Sequence, residues 1–193
     1  MYDIVIVGAG PAGATLARLL GKEFKILVID KRQLLDTKSR IKFEKCCGGL
    51  LAPDAQQMLA RFGLGLPKNI LVGPQLFTVR TIDIQNNIEQ YYQRNYINVD
   101  RERFDKWLVS LFPSKVEVIC EAIFKGFEIV DDGIKIQYTK QGKEHNIHTK
   151  LLVGADGAFS TVKRSISLDL PNPKTYISIQ EYYKMDNSRK STI

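Results

Sequence analysis

The sequence predicts an α/β fold with a parallel central sheet, an antiparallel β insertion and a β-meander. Three observations predict it. Asp3-Ile4-Val5-Ile6-Val7 is an almost continuous β-branched run, as in a strand buried on both faces. Glycines at 8, 10 and 13 follow at once, and small and apolar residues from Ala12 to Leu20 suit a helix packed close to a sheet. Lys25-Ile26-Leu27-Val28-Ile29 is a second buried run, completing a minimal strand–helix–strand unit whose strands must be parallel.

The remaining elements follow in order. Residues 31–52 are polar and then glycine-rich, and read as a long functional loop. Pro53 to Phe62 is a short helix with Met58, Leu59 and Phe62 at helical spacing. Residues 70–99 alternate and are rich in β-branched and aromatic residues, with a turn at Asn86-Asn87, so a hairpin is predicted there. Arg101 to Phe112 is an amphipathic helix with Phe104, Leu108, Leu111 and Phe112 on one side. Val116–Ile119, Ile123–Ile129 and Ile134–Tyr138 read as strands, the last two joined by a turn at Asp132-Gly133. Leu151-Leu152-Val153 is a short buried strand, and residues 175–185 read as a final strand. The expected division is a nucleotide-binding domain at 1–65 and 100–168, and an incomplete β domain at 66–99 and 169–193.

Composition narrows the class. The 193 residues are 44% hydrophobic and 25% charged, an ordinary globular balance. The net charge of +7 is spread along the chain and fits a solvated surface or attraction to an anionic cofactor, a nucleic acid or an acidic membrane. Charge alone does not separate these. Cys46, Cys47 and Cys120 make no disulfide framework, and without a CxxC pair no zinc site is expected. The cysteine usage suits a reducing cytoplasm. No signal-type leader and no apolar run of membrane-spanning length occurs, which leaves peripheral membrane contact open.

Gly8-Ala9-Gly10-Pro11-Ala12-Gly13 matches GxGxxG between a strand and a helix. Gly8 permits the tight turn, Gly10 lets the backbone approach a diphosphate, and Gly13 lets the helix lie close to the strand. The helix start offers N–H groups and partial positive charge to phosphates. Asp30 ends the second strand 22 positions after Gly8, where an acid can bind ribose hydroxyls and disfavours a 2′-phosphate. Lys31 and Arg32 read either as solvated charges or as help with an adenosine phosphate.

These residues resemble the start of FAD-dependent oxidoreductases of the aromatic-hydroxylase fold, a Rossmann-like FAD/NAD(P)-binding architecture. Lys45-Cys46-Cys47-Gly48-Gly49-Leu50 resembles the cysteine-glycine loop of the geranylgeranyl reductase branch. Asp100-Arg101-Glu102-Arg103-Phe104-Asp105 resembles that family's arginine-bearing helix start, and Gly154 to Arg164 its DG-type motif. The resemblance implies that Gly8, Gly10, Gly13 and Ala14 hold the FAD diphosphate and that Asp30 binds the adenosine ribose. It implies that Cys47, Gly48 and Leu50 line the flavin side, and that Arg101 contacts the cofactor. Ala122 would meet the adenine through its backbone, and Asp156 with Gly157 would order the loop facing the diphosphate. Other readings stay open: Arg101 as a surface charge, Asp156-Gly157 as a plain turn, and Cys46 and Cys47 as packing residues. His145 and His148 read as solvated, and Tyr91-Tyr92 and Tyr182-Tyr183 as half-buried strand residues.

The resemblance also implies a third motif, a GD segment that reaches the flavin, which does not occur in these residues. The expectation is therefore a truncated product or a piece of a longer reading frame, from an enzyme that takes a small-molecule substrate and no nucleic acid. It would pass reducing equivalents from NAD(P)H through FAD to an unsaturated, isoprenoid substrate. An aromatic hydroxylase on the same fold is one alternative, and a nucleotide-binding remnant without turnover is another. The catalytic residues, the substrate's identity and the oligomeric state are not read from the sequence.

Overall fold

Short apolar runs build the centre of the molecule. Strand β1 (Tyr2–Val7) leads into helix α1 (Pro11–Leu20), and β2 (Ile26–Ile29) lies parallel to β1, with Ile4 opposite Ile26 and Val7 opposite Ile29. The computed structural model describes residues 1–36, 47–166, 174–179 and 181. Beyond residue 46 the chain forms β3 (Leu50–Leu51), α2 (Pro53–Arg61) and a 3-10 turn (Lys68–Ile70). The hairpin β4 (Leu76–Asp83) and β5 (Ile88–Asn98) precedes α3 (Arg101–Ser110). The strands β6 (Val116–Ile119), β7 (Ala122–Val130), β8 (Gly133–Lys140) and β9 (Lys143–Gly154) follow, then α4 (Thr161–Ser165).

The main sheet has six strands in the order β6-β2-β1-β9-β8-β7. β6, β2, β1 and the second half of β9 are parallel, while β9–β8 and β8–β7 are antiparallel. Parallel strands share a carboxyl edge, so Val7, Ile29, Ile119 and Gly154 all end on one side. That edge is where an open α/β sheet takes its ligand.

Alternation along β1 divides the core. Ile4 and Ile6 face α1, α3 and the second strand's Ile26 and Val28, together with Phe104, Leu108 and Val109. Val5 and Val7 face the other way and join Leu27, Ile29, Phe124, Ile136 and Val162 beneath the curled meander. Each such side chain, fully buried, stabilises by roughly 1.5–3 kcal/mol. α1 can approach because its inward residues are Gly13, Ala14 and Ala17.

Several expectations are adjusted. The polar stretch containing His145 and His148 and the short strand at Leu151–Val153 are one twelve-residue strand, β9. No glycine or proline interrupts it, so it pairs with β8 first and with β1 afterwards. β6 belongs to the parallel set, so the meander starts at Ala122 rather than Val116. Its first turn is Asp131-Asp132, with Gly133 (φ +144°) already paired to Val130. The hairpin turns at Asn86-Asn87 as expected, and Leu50–Leu51 adds a third strand to it in the order β3-β5-β4. Tyr91 and Tyr92 are exposed rather than half-buried, since no described element covers the hairpin there. Residues 174–179 form no strand and are exposed, because no described strand pairs with them. Tyr182-Tyr183 lie outside the described residues.

Candidate functional site

At the carboxyl edge of the parallel strands lies an open cleft of about 420 Å³. Its floor and walls come from Val7, Gly8 and Gly10, from Ile29 to Arg32, from Ala122 to Phe124, and from Ala155 to Phe159 with Thr161. Stretches separated by more than a hundred residues thus meet because β1, β2 and β9 are neighbours.

The turn at Gly8–Gly13 is fixed by contact. Gly8 has φ +101°, and a Cβ there would lie 2.4 Å from the Ala155 carbonyl oxygen. A Cβ on Gly13 would lie 1.9 Å from the Gly8 carbonyl oxygen. Gly10 differs, having φ −69° and ψ −179°, which any residue adopts. Its lack of a side chain therefore serves the open cleft and not the backbone. Pro11 opens the helix, no side chain caps it and its first turn carries no acid. The leading N–H groups of such a helix are left for a partner, and the dipole makes that partner anionic.

Asp30 sits at the end of β2, 6% exposed. Its carboxylate accepts the Ala9 N–H at 2.7 Å, the Arg32 N–H at 2.8 Å, and Arg32 Nε and Nη2 at 3.0 and 3.1 Å. Burial alone would raise its pKa. The Arg32 hydrogen bonds and charge, with the Ala9 N–H, outweigh burial and hold the carboxyl below the ordinary Asp value. Arg32 is not solvated, as one reading of the sequence had it. Burial opposes its charge, but Asp30 and Asp105 hold the guanidinium protonated more firmly than usual. Its Nη1 donates to Asp105 Oδ2 at 2.6 Å, and Arg101 Nη2 donates to Asp105 Oδ1 at 3.1 Å. Arg101 also lies over the Phe104 ring at 5.3 Å, and its Nε is buried with no hydrogen-bond partner among the described residues.

Asp156 orders its loop. Oδ1 accepts from Ser160 Oγ at 2.5 Å, and Oδ2 from the N–H groups of Thr161 and Val162 at 2.6 and 3.2 Å. Ser160 caps α4 by accepting from the Lys163 N–H at 2.9 Å. Gly157 takes φ +88° in the exposed turn between them.

The cleft gathers Gly8, Gly10, Asp30, Ala122, Asp156 and Gly157. Gly13 and Ala14 are buried behind it on α1. Cys47, Gly48, Leu50 and Arg101 are not part of its wall. Cys47 and Gly48 are exposed, and neighbouring Gly49 (φ +75°) accepts the Val99 N–H at 2.8 Å. Cys46 lies outside the described residues. Ala122 gives its N–H to the Asp30 carbonyl at 3.1 Å. Sequence reasoning missed Asp105. An acid beside Phe104 and one helical turn ahead of Leu108 and Val109 was the signal that it turns inward.

Residues 6–37 match the family model of the NAD(P)-binding Rossmann-like domain. The chain is also similar to solved structures. One is a geranylgeranyl bacteriochlorophyll reductase-like protein from Thermoplasma acidophilum, with TM-score 0.71 and 21% identity, covering 87% of this chain and 42% of that one. This is a Rossmann-like fold. The p-nitrophenol 4-monooxygenase of Pseudomonas putida DLL-E4 shares the Rossmann-like core, with TM-score 0.64 and 19% identity over 86% of this chain and 44% of that one. Among curated proteins, Protein CbrA of Escherichia coli (strain K12) is 40% identical over 182 residues, 94% of this chain and 50% of that protein. The chain thus spans about half the length of the curated relatives it matches.

Proposed function

We propose that this chain is the FAD-binding part of a flavin-dependent oxidoreductase. The observation that carries the reading is the cleft: it joins an uncapped helix start, two backbone-locked glycines and an Asp-ordered loop at one sheet edge. The residues fit a dinucleotide. Gly10 leaves room for a diphosphate, the first turn of α1 supplies N–H donors and partial positive charge, and Ile123 and Phe124 give an apolar wall for a base. Arg101 lies outside the cleft wall, so a contact from it to the cofactor is assigned on the resemblance of its helix start and not on the cleft.

When bound, FAD supplies the two-electron chemistry of hydride transfer. The chain's own residues bind and orient it. α1 neutralises the diphosphate, Asp156 holds the facing loop rigid, and Asp105 holds Arg101 in place. We assign NAD(P)H as the electron donor and an unsaturated isoprenoid as the substrate, on the cysteine-glycine loop and the likeness to the reductase-like protein. The likeness to p-nitrophenol 4-monooxygenase favours a second reading, an aromatic hydroxylase. NAD(P)H-dependent oxygen consumption with a phenol selects the hydroxylase, and anaerobic reduction of a prenyl double bond selects the reductase.

Gel filtration of the chain with FAD tests the flavin assignment. Yellow protein is expected, and Gly10→Val is expected to be colourless. A wild type that never retains FAD but binds ADP would leave only a nucleotide-binding module. Equal ADP affinity in wild type and Gly10→Val would remove the phosphate-loop assignment.

A further inference from the structure

Asp30 and Arg32 both line the cleft, and each is 6% exposed. Neighbouring segments fix their backbones. Asp30 donates its N–H to the Ile119 carbonyl, Ala122 donates to the Asp30 carbonyl, and Glu121 donates to the Arg32 carbonyl. Their side chains hold each other. Arg32 Nε and Nη2 grip the Asp30 carboxylate at 3.0 and 3.1 Å, which uses one edge of the guanidinium. Nη1 is left over and donates to Asp105 Oδ2 at 2.6 Å. Asp105 comes from α3, is 1% exposed and is not part of the cleft wall.

We propose that Asp105 is a positioning residue for the cleft: it holds Arg32, and through Arg32 it fixes the Asp30 carboxylate for the ribose. The proposal rests on the reading that the cleft takes an ADP moiety whose ribose meets Asp30. A guanidinium gripped along one edge alone can swing together with the carboxylate it holds, because both side chains turn about several bonds. A second carboxylate at the remaining nitrogen removes that motion, and the planar fork makes the restraint directional. Asp105 can anchor Arg32 because its own place is set. It shares the buried face of α3 with Phe104, Leu108 and Val109, on a helix capped by Asp100. Its other oxygen takes Arg101 Nη2 at 3.1 Å. Stability does not account for the arrangement. Apolar side chains of similar volume would hold α3 to the sheet as well as a buried ion pair does, or better. What the carboxylate adds is a single geometry for the guanidinium, and so for the acid in the cleft.

The experiment is calorimetric titration of ADP, 2′-deoxy-ADP and 3′-deoxy-ADP into wild type, Asp105→Asn, Asp105→Ala and Val109→Ala, each at a temperature where circular dichroism shows it folded. Wild type is expected to prefer ADP over at least one deoxy analogue by on the order of tenfold, as for a hydrogen bond to a charged group. Asp105→Asn weakens the hold on Arg32, and the preference is expected to shrink to about threefold. Asp105→Ala removes the hold, and the preference is expected to be lost. The ratio within one variant cancels any loss common to the three ligands, such as partial unfolding. Val109→Ala trims the same buried face of α3 and is expected to lower stability while keeping the wild-type preference. An undiminished preference in folded Asp105→Ala, or in Asp105→Asn where the alanine variant does not fold, would overturn the proposal. So would equal shrinkage in Val109→Ala, which would trace the effect to packing of the helix. A wild type that binds ADP with no preference overturns the proposal and leaves the nucleotide reading standing, and that series needs no variant to fold. A wild type that binds none of the three removes both.

Discussion

Arg32 Nη1 and Asp105 Oδ2 lie 2.6 Å apart, although 73 positions separate the two residues in the chain. Both side chains are almost wholly buried, so neither tolerates loss of the other. Asp105→Ala leaves two arginines facing a vacated site, and removing one partner of a buried pair costs about 3–5 kcal/mol. Urea denaturation is expected to show a loss of that size. A loss of less than about 1 kcal/mol would mean that the arginines are solvated, as surface pairs are.

The glycines of the phosphate turn separate into two kinds. Gly13→Ala places a methyl group 1.9 Å from the Gly8 carbonyl oxygen, and Gly8→Ala places one 2.4 Å from the Ala155 carbonyl oxygen. Backbone must move in both, and each variant is expected to lose about 1–3 kcal/mol or more. Gly10→Val keeps an allowed backbone and is expected to stay within about 1 kcal/mol of wild type while losing nucleotide binding. Chemical denaturation beside ADP titration checks all three. Wild-type stability in Gly13→Ala would contradict the close approach of α1 to its turn.

Asp156 acts at a distance of only a few residues. Its carboxylate takes three hydrogen bonds from Ser160, Thr161 and Val162. Asp156→Ala is expected to cost about 0.5–2 kcal/mol, as loss of a helix cap does. Hydrogen exchange locates the effect: the amides of Thr161 and Val162 are expected to exchange faster, while those of β1 and β2 keep their protection. Uniform loss of protection would show instead that the loop is integral to the core.

Acid stability follows from Asp30. Its folded pKa is lowered, because the Arg32 hydrogen bonds and charge outweigh burial, which alone would raise it. The contribution is complete above the unfolded value, about 3.9, and is lost as pH falls through the lower folded value. The unfolded chain takes up the proton first. The thermal midpoint of wild type is therefore expected to fall below about pH 4, and Asp30→Asn is expected to flatten that limb. The exposed Asp3, also lowered through its hydrogen bond to Lys150, adds little because solvent screens it. An identical acid limb in Asp30→Asn would show that other carboxylates carry it.

Local pattern reached far in this chain. The run Asp3–Val7, the glycines that follow and Lys25–Ile29 dictated β1, α1 and β2, because a β-branched run and a glycine turn leave the backbone few choices. The helix at Arg101 and the hairpin across Asn86-Asn87 were legible for the same reason. The loop-ordering role of Asp156 came from the family resemblance and not from local pattern, and its partners prove to lie within six positions.

What the sequence by itself determined was most of the elements up to β8 and the residue types gathered at the ends of β1 and β2. Tertiary structure alone decided the rest. It made one strand of residues 143–154, slid that strand beside β1, and so brought Asp156 to the glycine turn. It also turned Arg32 inward, since a buried guanidinium is tolerable only between carboxylates and one of them comes from α3. Pairing across 73 residues leaves no mark in local periodicity, because it depends on where two separately folded segments meet.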